Sequence, residues 1–112
     1  MKEINAEENS ILAKQQEEKR LRDEALKRAL AYHAAGADAI LVHSKINTSK
    51  DIDDFMEKWD NRCPIIIVPT KYYSVPTSHF KEKGISTIIW ANHNFRSCID
   101  IMRKTSKQIF ED

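Results

Sequence analysis

The sequence predicts an α/β fold built on a parallel sheet, and three observations carry that prediction. Residues 24–110 alternate helix-forming and strand-forming segments. Each apolar strand run ends abruptly in hydrogen-bonding residues. The strands recur about 25 and then about 23 residues apart, the spacing that right-handed βαβ crossovers require. Hairpin signals such as Asn-Gly or Asp-Gly are absent from the chain.

The first helix is expected over residues 5–35, with Asn5 and Glu8 as a capping pair and no Pro or Gly before Gly36. Leu26, Ala29, Leu30 and Ala34 fall on one face, as a helix packing on a sheet requires. Residues 14–20 hold no apolar residue, so that stretch is expected to be solvated, either as an exposed extension or as a partner-binding helix. Gly36 stops the helix in a left-handed conformation. The first strand spans 39–42. Thr48, Ser49 and Asp51 then open a helix whose buried face is Ile52, Phe55, Met56 and Trp59.

The second strand spans 64–68, and its β-branched run Ile65-Ile66-Ile67-Val68 implies burial on both faces. A Tyr-rich loop leads to a short helix over 76–83, stopped by Gly84. The third strand spans 87–90. The last helix, 94–110, carries a stripe of Phe95, Cys98, Ile99, Met102 and Ile109.

Composition narrows the function. With 18 Lys/Arg against 17 Asp/Glu, the net charge of +1 offers no attraction to nucleic acid, and no nucleic-acid motif is present. No apolar run approaches the 18 or so residues that span a bilayer. The polar start, residues 1–19, resembles neither a secretory signal nor a transit peptide. Cys63 and Cys98 lack metal-ligand spacing and do not make a disulfide framework, so a cytoplasmic, reducing setting is expected. Only Gly36 and Gly84 are present, which rules out a Walker or GxGxxG loop.

In a parallel sheet every strand's carboxyl end lies on one side, where ligands bind. His43, Ser44 and Lys45 follow the first strand; Thr70, Lys71, Tyr72 and Tyr73 follow the second; Asn92, His93 and Asn94 follow the third. His43 reads either as a donor or acid/base toward an anionic substrate or as a histidine tying the strand end to a loop. Both readings stay open on the residues alone. His93 and its Asn neighbours are candidates for a carboxylate or for capping the last helix. Lys45 and Lys71 are candidate phosphate contacts, and His33 and His79 are given no role. Asp51, Asp53 and Asp54 sit at a helix start, where carboxylates complement the dipole without a metal.

The segments from Glu24-Ala25-Leu26 through Gly36-Ala37-Asp38-Ala39-Ile40-Leu41-Val42-His43-Ser44-Lys45, together with Val68-Pro69-Thr70-Lys71-Tyr72-Tyr73 and Trp90-Ala91-Asn92-His93-Asn94, resemble phosphoenolpyruvate mutase of the isocitrate lyase superfamily. The last two segments separate the mutase from phosphonopyruvate hydrolase. The resemblance implies a partial (β/α)8, TIM-type barrel: three parallel strands with helices, placed sixth to eighth, behind an N-terminal helical extension. It divides the chain into a leader, 1–23, without a family counterpart, and a barrel portion, 24–112.

It also implies isomerase chemistry, the conversion of phosphoenolpyruvate to phosphonopyruvate in phosphonate biosynthesis, with Mg²⁺ holding the substrate. His43 matches a substrate-pocket histidine, and Thr70 and Asn92 match strand-end positions. The family's catalytic aspartate, metal-holding acids, gating loop and phosphonate-binding arginine lie on earlier strands, so no catalytic or metal residue is assigned here. The expectation is a truncated or split form, inactive alone, that self-associates or pairs with a complementing N-terminal chain. The alternative function is a non-catalytic interaction or anion-binding α/β module, and the alternative fold is an open, flavodoxin-like sandwich with helices on both faces.

Overall fold

A computed structural model describes residues 2–112, with side chains described from residue 5 onward. Met1, the first residue of the expected leader, lies outside the described residues. The elements run α1 (Lys2–Ala34), β1 (Ile40–Val42), α2 (Lys50–Trp59), β2 (Ile65–Ile67), α3 (Thr77–Glu82), β3 (Thr87–Ile88) and α4 (His93–Glu111). The sheet order is β1-β2-β3, all parallel, with Ile40 opposite Ile65 and Ile66 opposite Thr87. Consecutive strands are therefore neighbours, the order a barrel requires.

Period-two alternation splits the strands between two faces. Ile40, Val42, Ile65, Ile67 and Ile88 join one hydrophobic cluster with Ala29 of α1, the four expected residues of α2, and Phe80 of α3. The opposite face is open: Leu41 is 54% exposed and Ile89 42%. The open sandwich with helices on both faces does not form. Ile66 is only half-buried, so β2 is not covered on both faces as its composition implied.

Trp59 is the hub of the covered face, with no exposed surface. Its indole N–H donates to the Cys63 carbonyl at 2.9 Å, tying the end of α2 to the approach to β2. Phe55 stacks on it at 5.4 Å and His33 meets it edge-on at 6.0 Å. The chain leaves α2 through two left-handed residues, Asp60 and Asn61 (φ 57° and 48°). Arg62 turns back to donate to the carbonyls of Lys58 and Trp59, satisfying two groups that the helix end leaves free. Gly36 (φ 105°) and Gly84 (φ 89°) stop α1 and α3 as expected.

Four details differ from the sequence reading. Helix α1 begins at Lys2, so Asn5 lies inside it and caps nothing. Strand β3 is two residues long rather than four, although the Ile89 amide still donates to the Ile67 carbonyl at 2.9 Å. Helix α4 starts at His93 with Asn92 as its cap residue. The stripe on α4 is largely uncovered: Phe95 is 65% exposed and Ile109 71%, Ile99 is half-buried, and no described residue of the helix is buried.

Helix α1 is continuous through residues 23 and 24. Residues 14–20 are exposed, as the absence of apolar residues there implied. The Arg20 guanidinium meets Glu17 at 2.7 Å and holds that carboxyl below its ordinary range. At 33 residues the helix is about 50 Å long.

Truncating the hub tests this packing. Trp59→Ala is expected to lower unfolding free energy by about 3–5 kcal/mol, and Ile67→Val by about 0.5–1.5 kcal/mol. Urea titration followed by circular dichroism checks both; equal small losses would show that Trp59 is not the hub.

Candidate functional site at the carboxyl edge of the sheet

The parallel register sets the three strand ends on one edge, with the segment after β2 in the middle. Strands pack about 4.8 Å apart, so the outer two ends lie roughly 10 Å from each other. That span suits a small anion held from several strands.

At the end of β1, His43 and Lys45 are exposed while Ser44, between them, is 3% exposed. The Ser44 hydroxyl donates to Asp51 Oδ2 at 2.9 Å and accepts the Ile46 N–H at 3.3 Å. Arg22 approaches Asp51 at 3.8 Å and Asp54 at 3.7 Å. Residues 42–46, α1 and α2 together line a groove of 530 Å³, with Leu26, Ile52 and Phe55 on its apolar side. Of the three expected contacts only His43 lines this groove; Thr70 and Asn92 do not.

After β2 the Thr70 amide donates to the Val68 carbonyl at 2.9 Å, a tight turn that leaves Thr70 half-buried. Lys71 and Tyr73 are exposed. Tyr72, grouped with them by sequence, belongs instead to the core: it is 0% exposed and sits edge-on to Phe80 at 5.8 Å. Its hydroxyl has no partner among the described residues, and burial pushes its pKa up from 10.0 to about 12.

After β3, Asn92 takes the cap position of α4. Its backbone carbonyl accepts the Arg96 N–H at 2.9 Å, while its side chain makes no cap bond. His93 lies against Trp90 at 4.7 Å, nearly perpendicular, and both its ring nitrogens are buried without a partner among the described residues.

Two histidines given no role prove structural. His79 Nε2 lies 2.8 Å from Asp53 Oδ1, and the Ser49 hydroxyl donates to Asp53 Oδ2 at 2.9 Å. This joins α3 to α2 across 26 residues of chain, a separation that leaves no local sequence signal. His33 packs on Trp59, and its place seven residues after Leu26 puts it on the stripe already identified.

The acids near this edge are occupied. Asp51 is held by Ser44 and Arg22, Asp53 by His79 and Ser49, and Asp54 faces Arg22. No group of three or more His, Cys, Asp or Glu that could hold a metal occurs among the described residues. The residues present therefore do not fit a Mg²⁺ site. The edge offers hydrogen-bond donors and cations, and the three carboxylates at the start of α2 are all engaged.

Three successive parallel strands with crossover helices on one face and donors at their carboxyl ends define a segment of an α/β barrel. The solved phosphoenolpyruvate phosphomutase of Streptomyces platensis subsp. rosaceus superposes with a TM-score of 0.71 at 36% identity, covering 81% of this chain and 32% of that one. Phosphonopyruvate hydrolase, solved as a complex with oxalate and Mg²⁺, superposes at 0.70 and 33% identity, covering 81% of this chain and 32% of that one.

In sequence, the chain is 56% identical to the phosphoenolpyruvate phosphomutase of Tetrahymena pyriformis over 90 residues, which are 80% of this chain and 30% of that protein. It is 43% identical to the Streptomyces hygroscopicus enzyme, again over 80% of this chain and 29% of that protein. The phosphoenolpyruvate phosphomutase family model matches residues 3–110. The chain belongs to that family, and it spans just under a third of the length of these relatives.

The Tyr72 phenol makes stability depend on alkaline pH. Because the folded state holds the proton more tightly than the unfolded chain, the contribution is full below pH 10 and is lost as pH rises through about 12. Tyr72→Phe is expected to remove this loss and to raise stability at neutral pH by about 1 kcal/mol, since an unpaired buried hydroxyl disappears. Urea midpoints between pH 7 and 11 check it; a variant that keeps the alkaline loss assigns it to another group.

Proposed function

We propose that these residues form the last three βα units of a phosphoenolpyruvate mutase barrel, and that the completed barrel interconverts phosphoenolpyruvate and phosphonopyruvate. The observation that carries the reading is the run of donors at one sheet edge. It occurs in a segment 56% identical to a phosphomutase. His43, Thr70 and Asn92 contact the substrate from the three strand ends. The metal-holding and charge-handling acids come from strands outside these 112 residues, on the same polypeptide or a complementing one.

Residues 1–23 are read as an extension to the barrel portion, 24–112. Within the completed site Mg²⁺ supplies electrostatic stabilisation of the transferring phosphoryl group. This segment's part is to orient the substrate and to donate hydrogen bonds to its oxygens. The free thiols of Cys63 and Cys98 suit a reducing cytoplasm, and no described helix is long and apolar enough to cross a membrane.

A second reading, a non-catalytic interaction module, draws on the uncovered stripe of α4. The same surface is also what a partial barrel leaves open.

Phosphorus NMR with phosphonopyruvate and Mg²⁺ tests the proposal. The folded chain alone is expected to give no phosphoenolpyruvate. Mixed with a polypeptide carrying the first five strands of the Tetrahymena enzyme, it is expected to turn over, and His43→Ala is expected to cut that rate about 10²–10³-fold. A folded, stoichiometric complex with no turnover would overturn the mutase reading.

A further inference from the structure

Ser44 is a buried polar side chain, at 3% exposure. An alanine would fill nearly the same space, so the hydroxyl's physical contribution lies in its two hydrogen bonds. One reaches back to the Ile46 N–H at 3.3 Å, closing a local turn over residues 44–46. The other reaches Asp51 Oδ2 at 2.9 Å, in the first turn of α2.

Asp51 is itself a fixed anchor. The amino end of α2 favours its charge, and Arg22 of α1 approaches its other oxygen at 3.8 Å. A continuous polar path thus runs from α1 through Arg22, Asp51 and Ser44 to the carboxyl end of β1. His43 is the residue immediately before Ser44. In extended chain, neighbours alternate between faces; Ser44 is buried against α2 while His43 is exposed. Pinning the Ser44 side therefore fixes the direction in which the His43 Cα–Cβ bond leaves the backbone.

We propose that Ser44 and Asp51, steadied by Arg22, are positioning residues that set the His43 imidazole for the substrate. The inference rests on the reading of His43 as a substrate contact. Ser44 and Asp51 act through the loop and touch no reacting atom. Displacement of a contact group by about 1 Å is enough to cost up to roughly 10²-fold in rate.

The loop is tested first in the chain itself. Ser44→Ala is expected to speed amide exchange of Ile46 at least tenfold and to leave Ile66 and Ile67 unchanged, while Ser44→Thr, which keeps the hydroxyl, stays near the parent rate. Unchanged exchange at Ile46 would overturn the proposal, because the hydroxyl would then not hold the turn. The second test uses the chain completed with the first five strands. Ser44→Ala and Asp51→Asn are each expected to lower kcat about 10–100-fold, with thermal midpoints close to the parent.

In a His43→Ala background the same changes are expected to cause no further loss, since the residues act as one unit. Additive losses, or a silent Ser44→Ala beside a damaging His43→Ala, would overturn the positioning role and leave the mutase reading standing. A silent His43→Ala would instead remove the reading of His43, and this inference with it.

Discussion

One constraint governs this structure: three parallel strands carry two faces to cover, and the chain brings helices to only one. Each crossover passes on the same side, so Ile40, Ile65 and Ile67 are buried while Leu41 on the alternate face stands 54% exposed. Strands need five more neighbours to close a barrel of eight. The open face, the two free sheet edges and the bare stripe of α4 follow from that single deficit. So does the placement of the core, which lies wholly between the sheet and α1, α2 and α3.

Within the covered layer, aromatic packing and capping do related work. Trp59 joins α2, β2's approach and α1 through one hydrogen bond and two ring contacts. The same short loop that receives its N–H also uses left-handed Asp60 and Asn61 and the Arg62 fork to end α2. Strand spacing and helix direction are thereby set together, which aligns the three strand ends at one edge. Position at that edge is a property of the scaffold, whereas its chemistry belongs to side chains that the core does not need.

The edge divides labour in a way that charge alone explains. Its carboxylates are committed to Ser44, His79, Ser49 and arginine, and they hold helices to one another. What faces outward is His43, Lys45, Lys71 and Asn92, groups that donate. Under the proposed mutase reading, a phosphoryl-bearing anion takes donors from this segment and a cation held by acids from elsewhere. Helix α1 also contributes beyond its packing face, because Arg22 and Asp23 reach the charges of α2.

Local periodicity and turn residues such as Gly36 and Gly84 already specify the class, the order of elements and the core face of α2. All four expected residues of α2 are buried. The strand-end residues were legible too, as breaks in apolar runs, and their resemblance to the mutase identified the family. Which side chains at those ends are structural was not legible. Tyr72 and Ser44 look like His43 and Thr70 in the sequence, yet the first pair is buried. Only tertiary packing decides that, since it turns on which face a loop residue meets after the strand's alternation ends. The His79–Asp53 pair and the anchoring of Ser44 by Asp51 likewise depend on contacts across separate elements, and no local pattern encodes a distance between two helices.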